Sequence, residues 1–98
     1  MNTIKTKLEH AWREGFFYNL RYGNFVQDQY EELKKDFNNI ILEDINYSDK
    51  RLISLLWVIP IFISWQEERL EKKGVMKATF SEISDFFYTQ CERILGLP

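Results

Sequence analysis

The alternation of apolar and polar positions divides the chain into four segments, and one of them stands apart. From Leu52 to Trp65, twelve of 14 residues are apolar or proline and none is charged. Such a run must be buried on nearly all sides. Charge bounds it on both flanks, at Asp49 to Arg51 before it and Glu67 to Arg69 after it. A transmembrane helix needs about 20 apolar residues; this run is shorter and contains Pro60. A buried strand would suit the β-branched Ile53, Val58, Ile59, Ile61 and Ile63, but proline has no amide to give a central strand. The pattern therefore predicts a central core helix from about Ser48 to Lys73, kinked or broken where Pro60 removes a hydrogen bond. Gln66 to Lys73 continues it in strong helix formers, and Gly74 suits its end. Trp57 and Trp65 are expected to supply much of the core's apolar area.

Three amphipathic segments surround that run. Ile4, Leu8, Ala11, Trp12 and Phe16 recur at helical spacing and predict a helix over about 3–21, capped by Asn2 or Thr3. Gly15 inside it marks a kink or a close helix contact, and Gly23 a terminator. Val26, Tyr30, Leu33, Phe37, Ile40 and Ile41 then follow 4-3-4-3 spacing, which predicts a second helix over about 25–44 with Asn24 as its cap. Asn46 to Asp49 reads as a turn that also caps the central helix. Beyond Gly74, Thr79 and Glu82 form the capping-box pattern. Phe80, Ile83, Phe87, Cys91 and Ile94 place a stripe on a last helix over about 80–95, ended by Gly96 and Pro98. The expected fold is all-α: one domain over 1–98, a bundle of four to five helices around the central one.

Composition narrows the class. With 98 residues, 45% hydrophobic and 29% charged, the chain has enough apolar content for one core and is not of disordered type. Eight Phe, five Tyr and three Trp are more large rings than so small a helical domain can hide, so some should reach the surface and anchor partners. A net charge of −2 gives no support to direct nucleic-acid binding. One cysteine and no apolar leader over Met1 to Arg13 point to a reducing cytoplasm.

Candidate chemistry is sparse. His10 and Cys91 are the sole histidine and cysteine; no spacing brings them together as base and nucleophile, and they supply no zinc pattern. No EF-hand loop or glycine-rich phosphate loop is present. The expectation is a non-enzyme without cofactor or metal. Adjacent carboxylates on a helix point about 100° apart, so Glu31-Glu32, Glu43-Asp44 and Glu67-Glu68 read first as solvated faces. Collectively, Asp28, Glu31, Glu32, Glu43, Asp44 and Asp49 concentrate acid in one half of the chain, which suits a basic partner.

The run Phe16-Phe17-Tyr18-Asn19-Leu20-Arg21-Tyr22-Gly23-Asn24-Phe25, followed by an amphipathic helix, resembles the opening of small cytoplasmic immunity proteins. These belong to bacterial contact-dependent growth inhibition and related polymorphic-toxin systems. The similar part covers roughly residues 12 to 44. Phe16, Leu20 and Phe25 would be core and Gly23 a terminator, so the shared pattern concerns folding, and no toxin-binding residue carries over. The resemblance implies a protein that binds one cognate toxin domain, commonly a nuclease, and blocks its active site or its access to substrate. The contacts expected from the residues are the acidic side of the second helix and the following turn, namely Asp28, Glu31, Glu32, Glu43, Asp44 and Asp49, with Tyr22, Tyr30 or Tyr47 as aromatic anchors. Alternatives are a small helical adaptor or regulator, or a membrane-associated accessory protein anchored by Leu52 to Trp65. Surplus aromatic surface also leaves a monomer or a weak homodimer open.

Overall fold

The computed structural model of the protein describes residues 3–96. Among them every regular element is helical: α1 (Ile4–Arg13), α2 (Phe16–Arg21), α3 (Gln27–Asn38), a 3-10 turn at Leu42–Asp44, α4 (Lys50–Trp65), α5 (Glu67–Lys72) and α6 (Lys77–Leu95). The all-α bundle around a central apolar helix is as expected, with two of the four expected helices each divided in two.

The first division falls at Gly15. Its amide donates to the His10 carbonyl at 2.9 Å, and a Cβ there would stand 2.9 Å from the Ala11 Cα. Only glycine lets the chain fold back that closely onto α1. Thr3 caps α1 by accepting from the Thr6 amide; Asn2, the other expected cap, lies outside the described residues. At the end of α2, Gly23 has φ +81°. Its amide reaches the Leu20 carbonyl and that of Asn24 the Asn19 carbonyl, the paired bonds of a Schellman cap. Asn24 is therefore spent on ending α2, and Val26, without a side-chain cap bond, precedes α3.

The second helix is also shorter than its spacing predicts. It stops at Asn38, where Arg93 of α6 donates to the Phe37 carbonyl at 2.9 Å and the Ile40 carbonyl at 3.3 Å. Those bonds satisfy carbonyls that further helix would otherwise use, and Ile41 is left exposed. Asp49 caps α4 as expected, accepting from the Arg51 and Leu52 amides at 3.1 Å.

Helix α4 runs on through Pro60. Proline withholds the amide that would bond the Leu56 carbonyl. The Cys91 thiol donates there instead at 3.3 Å, and Trp12 Nε1 donates to the neighbouring Leu55 carbonyl at 3.2 Å. The Cys91 side chain from α6 thus takes up the carbonyl that Pro60 leaves without its amide, and no break occurs there. The break falls at Gln66, whose amide turns back to Ile63 at 2.9 Å while its buried side chain donates to the Phe62 carbonyl. After α5, Gly74 at φ +90° repeats the Schellman arrangement. Helix α6 then begins at Lys77, so Thr79 and Glu82 lie inside the helix and form no capping box. Gly96 closes α6 at φ +83°; Pro98 lies outside the described residues.

The core is aromatic on one side and aliphatic on the other. Phe87 of α6 lies between 5.1 and 6.1 Å, centroid to centroid, from Phe17, Tyr30, Phe37 and Phe86, and 5.9 Å from Phe16. Leu52, Leu55, Leu56, Ile59, Phe62 and Ile63 line the inner side of α4. Trp57 and Trp65, expected in the core, are 52% and 70% exposed. Trp12 is the tryptophan that packs inward, 4.5 Å from Phe17 and 4.8 Å from Phe62. A helix can show only part of its circumference to a core on one side of it, so even a wholly apolar α4 leaves a stripe in water.

Candidate partner-binding surfaces

Helix α3 turns Tyr30, Leu33 and Phe37 inward, which leaves Asp28, Glu31 and Glu32 in solvent. Glu31 is held within its own helix, accepting from Gln27 at 2.7 Å and lying 3.9 Å from Lys34. Among the described residues, Asp28 and Glu32 enter no ion pair. Glu32 also borders an open groove of about 400 Å³ between α1 and α3, floored by Ala11, Phe16 and Leu33. Across that groove Lys7 clamps Asp36 at 2.7 Å.

The other expected contacts scatter. Glu43 and Asp44 are exposed on the 3-10 turn, beyond the C-terminus of α3. They belong to a separate element from Asp28, Glu31 and Glu32 of α3. Asp49 is committed to structure: besides capping α4 it pairs with Lys5 at 3.0 Å. That hydrogen bond from Lys5, then the Leu52 amide, holds its carboxyl below the usual carboxylate range.

The three tyrosines differ as sharply. Tyr22 is exposed and packs on Tyr18 with centroids 5.3 Å apart. Tyr47 shows half its surface, but its hydroxyl donates to the Ile94 carbonyl at 2.7 Å and ties the turn to α6. Tyr30 is wholly buried and cannot anchor a partner. Its spacing with Leu33 and Phe37 had marked it as core, and burial, with Glu82 nearby, raises its hydroxyl well above the ordinary tyrosine range.

A second surface lies on the outer side of α4. Trp57, Ile61 and Trp65 follow one another at four-residue intervals and are 52%, 39% and 70% exposed. This row passes without a charge until Glu68, Arg69 and Lys72, which form a shallow notch with Trp65. Arg69 also donates to the Arg21 carbonyl, bringing the Tyr18–Tyr22 side of α2 to the rim. The sequence carried a signal for this face: between Leu52 and Trp65 only Ser54 and Ser64 are polar, which leaves more apolar surface than a core on one side can cover.

His10 and Cys91 are not assembled into a reactive pair. His10 sits exposed, 3.2 Å from Glu14, whereas Cys91 is buried, bonded to Leu56, and its thiol is pushed up to about 12 by burial. Among the described residues no three His, Cys, Asp or Glu cluster as metal ligands, and no helix is long and apolar enough to cross a membrane. Comparison with family models, with curated proteins and with solved structures finds no match to this chain.

Proposed function

We propose that the protein is an immunity protein that neutralises a cognate toxin domain by binding it, the toxin being a basic nuclease. The observation that supports this reading is the outer side of α3, where Asp28 and Glu32 stand exposed without an ion-pair partner among the described residues. Carboxylates already paired at home gain little from a cation on another protein; unpaired ones attract and orient it at long range. The groove beside Glu32 offers apolar floor and a polar rim for a side chain of that partner. Within this reading Asp28 and Glu32 steer the encounter, Tyr22 is the remaining candidate among the three tyrosines for a free aromatic anchor, and Asp49, Tyr30 and Tyr47 act through the fold.

The test is co-expression with the toxin domain encoded immediately upstream, read as complex formation and as growth. A stable complex and rescued growth are expected. Charge reversal, Asp28→Lys with Glu32→Lys, should slow association at least about tenfold and flatten its salt dependence. An upstream domain that is harmless, or that forms no complex, would overturn the reading in favour of a helical adaptor.

A further inference from the structure

The outer row of α4 reads the same in both directions. Trp57 and Trp65 stand four residues either side of Ile61, all three are exposed, and no charge falls between them. A face of that kind is complementary to itself. A two-fold axis lying in the contact plane and passing at Ile61 brings Ile61 against its own copy and each Trp57 against Trp65 of the second chain. Rows at four-residue spacing run about 26° to the helix axis, so two such rows laid together cross the helices at about 50°, the commonest packing of globular proteins.

From this we infer that the outer face of α4 is the contact through which two copies of this chain associate. Charge favours a copy over a different, charged partner: the net charge of −2 resides elsewhere, and the central stretch of this face presents none to repel or attract. Area bounds the strength. The two tryptophans and Ile61 leave on the order of 400 Å² open, about half of what a standard interface takes from each partner. The dimer is accordingly weak and reversible, forming at micromolar concentrations and above. The α3 acids Asp28 and Glu32 take no part in this contact row, which is made by Trp57, Ile61 and Trp65 of α4. Self-association is thus independent of the toxin-binding reading and survives its failure.

Sedimentation of the whole chain from about 1 µM to about 1 mM tests it. The mass should rise from one chain toward two, and Ile61→Glu should weaken association at least about tenfold while leaving the helical circular dichroism unchanged. Register is read by cross-linking. Ile61→Cys should join to its own copy under mild oxidation, and a mixture of Trp57→Cys and Trp65→Cys chains should cross-link mainly in the mixed pair, with the buried Cys91 silent. A single-chain mass at the highest concentration, or association that Ile61→Glu leaves intact, overturns the inference.

Discussion

Helices α3 and α4 bury the same kind of inner side and show water opposite things. Tyr30, Leu33 and Phe37 of α3 are inside, and its remaining positions are mostly acids, lysines and amides. In α4, Leu56, Ile59 and Ile63 are fully buried, yet the outer positions Trp57, Ile61 and Trp65 are as apolar as the inner ones. Charge gives α3 a face that acts at a distance and weakens with salt. The α4 face acts only on contact, through area removed from water. One small domain thereby presents two outer faces of different physical character over one shared core.

The strongest way to break that arrangement is to remove what lies beneath it. Phe87→Ala deletes the ring on which Phe17, Tyr30 and Phe37 converge and should cost about 3–5 kcal/mol, most of the stability of a domain this size. A denaturant titration reads the loss directly. The next largest effect separates the two sides of α4. Cys91→Ala should cost about 1–2 kcal/mol by leaving the Leu56 carbonyl short of a donor. In a Pro60→Ala background the restored amide takes that carbonyl, and the same substitution should cost about 1 kcal/mol less. Equal costs in the two backgrounds would show that the thiol does not stand in for the missing amide.

The Cys91 thiol adds a pH signature. Its folded value is raised, so stability holds up to the range where an unfolded thiol ionises near 9 and falls as pH climbs toward 12. Alkylation of the native protein should follow global unfolding rather than surface exposure. Asp49 has the opposite sign. Its folded value is lowered, so its contribution is present at neutral pH and is lost as pH drops through the lowered range. Asp49→Asn should keep the helix cap, weaken the Lys5 contact, and differ from the parent at neutral pH but not in strong acid; urea midpoints across that range decide it.

The smallest stability effects are expected on the two outer faces themselves. Glu32→Ala and Trp65→Ala should each stay within about 0.5 kcal/mol of the parent. Their consequences should diverge in solution: Trp65→Ala lowers self-association at unchanged salt response, and Glu32→Ala leaves self-association untouched. If both variants altered self-association alike, the two faces would not be separable.

Much was legible before any coordinates. Spacing alone placed Leu33, Phe37, Ile83, Phe87 and Ile94 in the core and identified Gly15, Gly23, Gly74 and Gly96 as punctuation, because a polar residue on the far side of a helix marks which side is near. Asp49 as a cap followed from its position before the apolar run. The same reasoning could have removed Tyr30 from the candidate anchors, since it sits on the inward stripe with Leu33 and Phe37.

Where polar markers are missing, sequence loses its direction. In α4 the exposed Ser54 and Ser64 are the polar residues between Leu52 and Trp65 and share the outer side, but two serines are a faint mark against two tryptophans, and the packing of α1 and α6 on the other side leaves Trp57 and Trp65 turned out. Bonds between residues distant along the chain are equally invisible to periodicity. Arg93 meets the carbonyls at the end of α3, and Cys91 and Trp12 supply donors beside Pro60. Helix content and inner stripes are set by neighbours three and four residues away, and these the sequence by itself determined. The breaks and the exposed faces depend on which donors and which surfaces the completed fold brings near, and these only the tertiary structure decided.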